Sequence, residues 1–300
     1  MTKVYKNLVL EGNGMAGLAY IGVLKVLEER DMVKNFTSFS GSSSGAIMAT
    51  LISIGYTSEE IYTISKDIDW SKLVQKRNCL YRIFHFWNNY GLFKYDKIEK
   101  IIKSFFLRKL GKTDLTFQEH YDLTKKNLIM VGVNVNKKRP EYFCKDLTPN
   151  MSVLTAIKIS TSFPFIFDPV KYNNMLYVDG GLMNNFPIEY FNGALTDTLG
   201  INLVDDDFNP SDPYNTITDI ENILNYGVNI LQSIMLIQEY CDLEFIKDNI
   251  IYVKIPSRNT YDTIVLMNQN IEELYNHGMK CSKKFFNNND LVTDQPDGDL

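Results

Sequence analysis

The sequence predicts an α/β protein, a three-layer sandwich built on a mostly parallel central sheet. Three observations support this class. Strand-like and helix-like patterns alternate along the 300 residues. Two of the strands run directly into turns of small residues that precede apolar helices. No internal repeat or linker interrupts the pattern, so we predict a single domain over residues 1–286 and a disordered polar tail over residues 287–300.

The chain begins with two strand–turn–helix units. "NLVLEG", residues 7–12, is an apolar strand, "GNGMAG" is a glycine turn, and the helix that follows continues to about Arg30. "FTSFS" is the second strand, and it enters the turn "GSSSG" before the apolar helix "AIMATLISIG". The next helix is predicted to begin at Ser58, because serine caps helix N-termini well and Glu60 follows it closely.

The remaining elements continue this alternation. Residues 78–93, "NCLYRIFHFWNNYGLF", are rich in aromatic side chains but lack a clean helical or alternating period. Residues 95–110 predict an amphipathic helix with Ile98, Ile101, Ile102 and Phe105 on one face. The further strands are "NLIMVGVNV", "PEYFCKD", "MLYVDGG", "LGINLV" and "NIIYVKIP". The further helices are "VLTAIKISTS", a long one over roughly 217–246, and "NQNIEELYNHGMKCSKKFF".

Composition excludes several classes of function. A net charge of −5 without a long run of Lys or Arg argues against nucleic-acid binding. The N-terminus has no apolar signal segment, and no apolar run approaches the roughly 20 residues of a membrane-spanning helix. We therefore expect a cytoplasmic or peripheral membrane protein. The four cysteines are widely separated, without zinc-site spacing, so we expect reduced thiols, no metal and no cofactor.

The glycine turn matches the pattern G-x-G-x-x-G through Gly12, Gly14 and Gly17. A glycine turn at a helix N-terminus directs free backbone N–H groups at an anion, either a phosphate or a transition-state oxyanion. A dinucleotide site would also need an acidic residue at the end of the second strand, and "FTSFS" has none. A P-loop is excluded because Leu18 and Ala19 follow the last glycine.

The second turn, "GSSSG", is a G-x-S-x-G sequence with Ser43 at its centre. Such an elbow between strand and helix holds a nucleophile in a strained backbone conformation with its hydroxyl exposed. Gly41 and Gly45 permit the close chain approach that larger residues would block. Five small residues alone are also typical of a packed turn, but the neighbouring glycine turn favours a catalytic serine.

The serine needs a base, and the sequence offers three histidines and one well-placed carboxylate. His85, His120 and His277 each fit a core or solvated position better than a catalytic one. Asp179 ends the strand in "YVDGGLMNNFP", where two glycines allow a sharp turn. In a parallel sheet this carboxyl edge also carries Ser43, so we expect the two side chains to meet. Desolvation would raise the proton affinity of the carboxylate enough for it to act as a base.

These motifs, in this order, resemble the patatin-like phospholipases from about residue 8 to 190. "EGNGMAGLAYIGVLKVLEE" is similar to the family's glycine-rich oxyanion loop, "GSSSG" to its nucleophile elbow, and "STSFPFIFDPV" with "YVDGGLMNNFP" to the segments around its catalytic aspartate. The resemblance implies a parallel-sheet α/β sandwich and a phospholipase A-type acyl hydrolase. It implies Ser43 as nucleophile and Asp179 as base of a dyad without histidine. The oxyanion N–H groups would come from Gly12, Asn13, Gly14 and Met15.

Two residues depart from the family pattern. Asn13 replaces the middle of three successive glycines, and we expect the turn to survive because asparagine tolerates positive φ. Ala16 replaces a basic residue, which removes one source of charge stabilisation. The alternative is therefore a catalytically impaired relative that binds lipid without turnover. A nucleotide-dependent oxidoreductase ranks third. A histidine-triad α/β-hydrolase ranks fourth, because its nucleophile normally follows several strands and Ser43 follows two.

The implied partners are a phospholipid or another acyl lipid and, through the aromatic stretch, a membrane surface. Aromatic groups with Arg82, Lys103, Arg108 and Lys109 nearby suit a lipid interface, and Phe105 and Phe106 are candidates for the contact. Ordinary core packing with a solvated charged face is the preferred interpretation of this region. The sequence makes no prediction about oligomeric state.

Overall fold

An eight-stranded mixed sheet forms the centre of the computed structural model, which describes residues 3–73, 79–208, 220, 222–243, 249–256 and 270–293. Its strands are β1 (Asn7–Leu10), β2 (Ser38–Gly41), β4 (Asn127–Asn134), β5 (Arg139–Phe143), β7 (Val170–Tyr172), β8 (Met175–Asp179), β9 (Thr198–Asp205) and β10 (Ile250–Ile255). The order is β10-β9-β1-β2-β4-β8-β7, with β5 also paired to β4. The strands from β10 to β4 are parallel, whereas β5, β7 and β8 make antiparallel pairs.

Two further short strands, β3 (Gly91–Phe93) and β6 (Phe165–Phe167), pair in parallel as a separate small sheet. The helices are α1 (Tyr20–Glu29), α2 (Ser44–Ser53), α3 (Ser58–Lys66), α4 (Cys79–Asn89), α5 (Asp96–Leu110), α6 (Phe117–Thr124), α7 (Val153–Ser160), α8 (Ile223–Leu243) and α9 (Ile271–Thr293). A 3₁₀ helix, Gly14–Ala19, leads into α1. Within the described residues, no helix combines the length and the apolarity that crossing a bilayer requires.

The two faces of the sheet pack into separate hydrophobic clusters, because alternate side chains of a strand point to opposite faces. Leu8 and Leu10 of β1 belong to the larger cluster with α1 and α2, whereas Val9 belongs to the smaller one. The smaller cluster is covered by residues 186–195, which include a short 3₁₀ helix at Glu189–Phe191. The predicted α/β sandwich with a mostly parallel sheet is therefore confirmed.

Several predicted element boundaries differ from the structure. Helix α3 begins at Ser58 as predicted, but its N-cap is Thr57, since the Thr57 hydroxyl accepts from the Glu60 N–H at 3.2 Å while the Glu60 carboxylate accepts from the Thr57 N–H. The long helix predicted over 217–246 spans Ile223–Leu243, and the ends of the prediction lie outside the described residues. The last helix continues past residue 286 to Thr293, so residues 287–293 of the predicted tail are helical. Arg30 supports that extension by donating to Asn287 Oδ1 at 3.3 Å.

The aromatic stretch also differs from its prediction, because most of it is helix α4. The helical period is nevertheless present in the sequence, because Leu80, Ile83, Phe84 and Trp87 have the i, i+3, i+4, i+7 spacing of one helix face. On the inner side Phe86 packs against Phe165, with ring centroids 6.3 Å apart, and His85 pairs with Asp168. On the outer side Leu80, Ile83, Phe84 and Trp87 are exposed.

Candidate active site

The register of strands along β4 brings the ends of β2 and β8 together. Gly41, the last residue of β2, lies opposite Met130, and Asp179, the last residue of β8, lies opposite Gly132 two positions further on. Because β5 pairs with both Met130 and Gly132, it occupies the other edge of β4, so β2 and β8 share one edge. The expectation that Asp179 ends a parallel strand is wrong. Strand β8 runs antiparallel to β4, and its carboxyl end meets that of β2 head-on.

Ser43 occupies the sharp turn between β2 and α2, with φ 49° and ψ −124°. The turn requires glycine on both sides. A Cβ at Gly41 would lie 2.4 Å from the carbonyl carbon of Gly45, and a Cβ at Gly45 would lie 2.2 Å from the Leu10 oxygen. The Ser43 N–H donates to the Ser160 hydroxyl at 3.1 Å, which fixes the turn to the end of α7. The elbow therefore has the strained, closely packed form that its sequence predicts.

Ser43 and Asp179 are in direct contact. The Ser43 hydroxyl donates to Asp179 Oδ2 at 2.8 Å, and the Gly181 N–H donates to Asp179 Oδ1 at 2.8 Å. Asp179 is 1% exposed, and this burial raises the pKa of its carboxyl to about 7, against the lowering effect of the two hydrogen bonds. The carboxyl group is consequently poised to take up and release a proton near neutral pH.

The glycine turn lies beside the elbow, since a Cβ at Gly12 would be 2.8 Å from the Cβ of Ser43. Two of the four predicted oxyanion N–H groups are bound within the protein: that of Gly12 donates to the Asn185 carbonyl at 3.2 Å, and that of Asn13 to the Ser44 hydroxyl at 3.0 Å. Those of Gly14 and Met15, at the start of the 3₁₀ helix, have no hydrogen-bond partner among the described residues. These two N–H groups are thus free to bind an anion.

The turn accommodates Asn13 in a way that the sequence did not indicate. The positive φ expected at Asn13 belongs to Gly14 instead, at 46°, while Asn13 has φ −151°. The Asn13 side chain donates to the Leu203 carbonyl at 3.2 Å, so the replacement of glycine anchors the turn to β9. Ala16, at the position where the related loops carry a basic residue, is buried, and its N–H donates to the Asn13 carbonyl at 3.0 Å.

The three histidines all have partners away from Ser43. His85 Nε2 lies 2.9 Å from Asp168 Oδ1, and His120 Nε2 lies 2.8 Å from the Ser53 hydroxyl. Burial lowers the pKa of His120 to about 4. His277 Nδ1 lies 2.8 Å from the Lys254 carbonyl. The arrangement around Ser43 is therefore a serine–carboxylate pair rather than a histidine triad.

Three residues of the site were missed by the sequence analysis: Glu11, Ser160 and Asn185. Ser160 supports the elbow, as described above, and Asn185 Nδ2 donates to Glu11 Oε1 at 2.8 Å beside the glycine turn. Both Glu11 and Asn185 lie within the motifs quoted from the sequence, and that position could have indicated them. Glu11 is next to Gly12, and Asn185 is six residues after Asp179. Within the described ranges no three His, Cys, Asp or Glu side chains cluster in a form that could hold a metal ion.

Two helices with exposed apolar side chains contact segments that lead to this site. Phe165 of β6 packs on Phe86 of α4. It follows Ser162 by three residues, and the Ser162 carbonyl accepts from the Asp179 N–H at 2.9 Å. Helix α8 places the Met235 methyl group 3.2 Å from where a Cβ at Gly181 would lie. Among the side chains of α8 that the structure describes, the large apolar ones exposed to solvent are Ile223, Tyr226, Ile230 and Ile234. Phe105 and Phe106, the candidates for a membrane contact, are instead buried in the larger hydrophobic cluster, which rules them out for that role.

Comparison with known proteins adds independent findings. A model of the patatin-like phospholipase family matches residues 8–192. Uncharacterized protein R571 of Acanthamoeba polyphaga mimivirus is 34% identical over 226 residues, which are 75% of this chain and 74% of that protein. The probable lipid hydrolase 463L of Invertebrate iridescent virus 6 is 38% identical over 187 residues, 62% of this chain and 63% of that protein. The crystal structure of VipD from Legionella pneumophila shares the fold, with a TM-score of 0.61 at 18% identity over 95% of this chain and 67% of that one.

Proposed function

This chain belongs to the patatin-like phospholipase family, and we propose that it hydrolyses acyl esters of lipids through Ser43 and Asp179. The single observation that carries the proposal is the 2.8 Å hydrogen bond from the Ser43 hydroxyl to the buried Asp179 carboxylate. A serine in a strained elbow, in contact with a carboxyl group whose pKa is raised to about 7, suits nucleophilic catalysis at neutral pH. Lipid hydrolysis as the general activity is also supported by the family and by the name of the iridescent virus relative.

In the proposed acylation step, Ser43 Oγ attacks the ester carbonyl carbon while Asp179 Oδ2 accepts the hydroxyl proton. The carbonyl oxygen becomes an oxyanion, and the free N–H groups of Gly14 and Met15 are the donors that would stabilise it. The tetrahedral intermediate collapses to an acyl-enzyme, and the leaving alcohol takes the proton from Asp179. The alcohol would be a lysophospholipid if the substrate is a phospholipid.

Deacylation uses the same groups, with water in place of the Ser43 hydroxyl as the proton donor to Asp179. Asp179 takes a proton from water, and the hydroxide attacks the acyl carbon of the acyl-enzyme. The oxyanion again receives the Gly14 and Met15 N–H groups, and collapse releases the fatty acid as Ser43 Oγ regains the proton. One carboxylate therefore serves as base in both steps, which requires a pKa close to the working pH.

A panel of lipids tests the proposal directly. Wild-type protein should release fatty acid from phospholipids, with or without activity on neutral glycerides, and Ser43→Ala should release none. A fluorophosphonate probe separates this from lipid binding without turnover, because labelling requires an activated Ser43. Lipid binding without hydrolysis and without labelling would favour the impaired relative, whose rationale is the alanine at position 16.

We further propose that the outer face of α4, defined as Leu80, Ile83, Phe84 and Trp87, contacts the lipid surface. Trp87 is 81% exposed, and an exposed apolar helix face of this kind is costly in water. Phe165, which packs on Phe86 on the inner side of the same helix, follows the segment whose carbonyl accepts from the Asp179 N–H.

Liposome co-sedimentation tests this contact with a double variant, Phe84→Ser with Trp87→Ser. Binding should fall at least about fivefold, because two large apolar side chains no longer enter the interface. Leu123→Ser on α6, another exposed apolar position, is the matched control and should bind as wild type. Unchanged binding of the double variant would overturn the proposed lipid contact. The proposed hydrolysis, measured on a soluble ester, would stand apart from that result.

A further inference from the structure

Glu11 and Asn185 are buried polar residues that join the glycine turn to the segment after Asp179. The Asn185 side chain donates to Glu11 Oε1 at 2.8 Å, and its main-chain carbonyl accepts from the Gly12 N–H at 3.2 Å. The second carboxylate oxygen, Glu11 Oε2, accepts from the Leu203 N–H at 2.7 Å. These side-chain bonds connect segments that are 174 or more residues apart in the sequence. None of them takes part in the bond-making steps proposed above.

The Asn185 side chain also fills the space between two glycines of the site. A Cβ at Gly12 would lie 2.7 Å from Asn185 Oδ1, and a Cβ at Gly181 would lie 2.6 Å from the same atom. That Cβ position at Gly181 is 3.2 Å from Asp179 Oδ1. The carboxamide therefore packs against both the turn that precedes the free N–H groups and the backbone that holds the catalytic carboxylate.

We propose that Glu11 and Asn185 are positioning residues, which hold the Gly14 and Met15 N–H groups at a fixed distance from Ser43. The N–H groups of Gly12 and Asn13 are already bound within the protein. The next donors along the turn are therefore those of Gly14 and Met15, which would face the oxyanion. An error of about 1 Å in such a placement can lower turnover by about 10²-fold while leaving substrate binding almost unchanged. The inference rests on the proposed hydrolytic function.

Exchanging the two polar groups provides a test. In Asn185→Asp two carboxylates face each other, so this single change breaks the pair. In Glu11→Gln the pair can form again only if the Asn185 amide turns over so that its oxygen accepts. When both changes are combined, the new amide nitrogen at position 11 can donate to the new carboxylate at position 185. The amide oxygen at position 11 can still accept from the Leu203 N–H, so both bonds are restored.

The kinetic effects follow from this pairing. On a soluble ester we expect kcat to fall at least about tenfold in Asn185→Asp and by a smaller factor in Glu11→Gln, with KM changed less than twofold in both. In the double variant kcat should return to within about threefold of the wild-type value, because the contact between the two segments is made again.

The pH dependence of the double variant provides a readout that simple loss of stability would not change. The exchange moves a negative charge from position 11 to position 185, closer to Asp179. A like charge raises the pKa of a carboxyl group, so the midpoint of kcat/KM against pH should move upward from that of the wild type. A rescued variant with an unshifted midpoint would contradict the proposed placement.

The adjacent buried residue, Asn184, is the matched control. Its side chain donates to the Tyr142 hydroxyl at 2.8 Å and to Glu189, away from Ser43 and Asp179. Asn184→Ala should lower the melting temperature but keep kcat. An equal loss of kcat in this control, a fully active Asn185→Asp variant, or a double variant no better than Asn185→Asp would each overturn the positioning role.

Two further measurements keep the result interpretable. If Asn185→Asp does not fold, Asn185→Ser removes the bond to Glu11 without adding charge, and the same fall in kcat is expected. Wild-type protein without Ser43-dependent turnover would overturn the proposed function itself. Wild-type turnover with fully active Glu11 and Asn185 variants would overturn only the positioning role.

Discussion

The two strand–turn–helix units at the start of the chain have the same layout and place backbone strain on different residues. The first turn puts positive φ on Gly14, at 46°, where a residue without a side chain adopts it at little cost. The second puts positive φ on Ser43, at 49°, where a side chain makes the conformation costly by about 1–3 kcal/mol. The first unit thereby presents backbone N–H groups, and the second presents a side-chain hydroxyl.

This difference suggests that one architecture provides two chemical functions. The turns are joined directly, since the Asn13 N–H donates to the Ser44 hydroxyl at 3.0 Å and a Cβ at Gly17 would lie 2.7 Å from that oxygen. We call residues 12–17 the donor turn and residues 41–45, which contain the proposed nucleophile, the nucleophile turn. Held this closely, the two turns could act on one substrate carbonyl group. The predictions below test each turn separately, beginning with the largest expected effect.

Removing the reactive groups should have the largest effect. Ser43→Ala and Asp179→Asn should each lower kcat/KM on a soluble ester at least about 10³-fold, because nucleophile and base act as one unit. The asparagine retains an oxygen to accept from the Gly181 N–H, so the fold should persist, as circular dichroism can verify. Near-normal turnover in Asp179→Asn, together with inactivity of His277→Ala, would assign the base to a histidine instead.

Blocking the donor turn should have the next largest effect. Gly14→Ala places a side chain at positive φ and shifts the adjacent N–H groups, so kcat should fall about 10²-fold. Gly111→Ala is a matched control, since Gly111 also has positive φ, at 69°, with no atom within 4 Å of its added Cβ. The control should lose a similar amount of stability, about 1 kcal/mol, and no activity. Equal kcat in the two variants would mean that the donor turn does not contact the oxyanion.

The two turns should also differ in their dependence on pH. Only the nucleophile turn depends on a titrating group, Asp179, whose pKa is raised to about 7 by burial. The base acts when ionised, so kcat/KM should rise about tenfold per pH unit below pH 7 and level off above it. Measurement on a soluble ester from about pH 5 to 9 would test this. A flat profile below pH 7 would mean that Asp179 keeps an ordinary pKa.

The turns themselves could be predicted from the sequence because their determinants are local. Five residues, from Gly41 to Gly45, contain both Ser43, the proposed nucleophile, and the glycines that its close packing requires. The direction of β8 could not be predicted in this way. A strand pattern ending in Asp179 is the same whether the strand pairs in parallel or antiparallel, and the pairing depends on β4, which lies much earlier in the chain.

The polar contacts around the turns were harder to predict, because their partners lie far away in the chain. The Asn13 side chain donates to the Leu203 carbonyl, 190 residues away in the chain. The Glu11 carboxylate accepts from the Asn185 side chain, 174 residues away. No periodicity encodes such a contact. Helix α4 was missed although its apolar residues, Trp87 among them, have the spacing of one helix face; that face is exposed instead of packed in the core.

The smallest expected effect concerns stability and isolates the strain at Ser43. Ser43→Ala and Ser43→Gly both remove the hydrogen bond to Asp179, but only glycine relieves the positive φ. The glycine variant should therefore be more stable than the alanine variant by about 1–2 kcal/mol in urea unfolding. Lys125, which has φ 57° and ψ 22° at the end of α6, provides the reference pair. Because that conformation is the ordinary left-handed one whereas Ser43 has ψ −124°, the alanine-to-glycine gain should be larger at Ser43. An equal gain at both positions would mean that the elbow stores no more strain than a common helix end, and the contrast between the two turns would then depend on their chemistry alone.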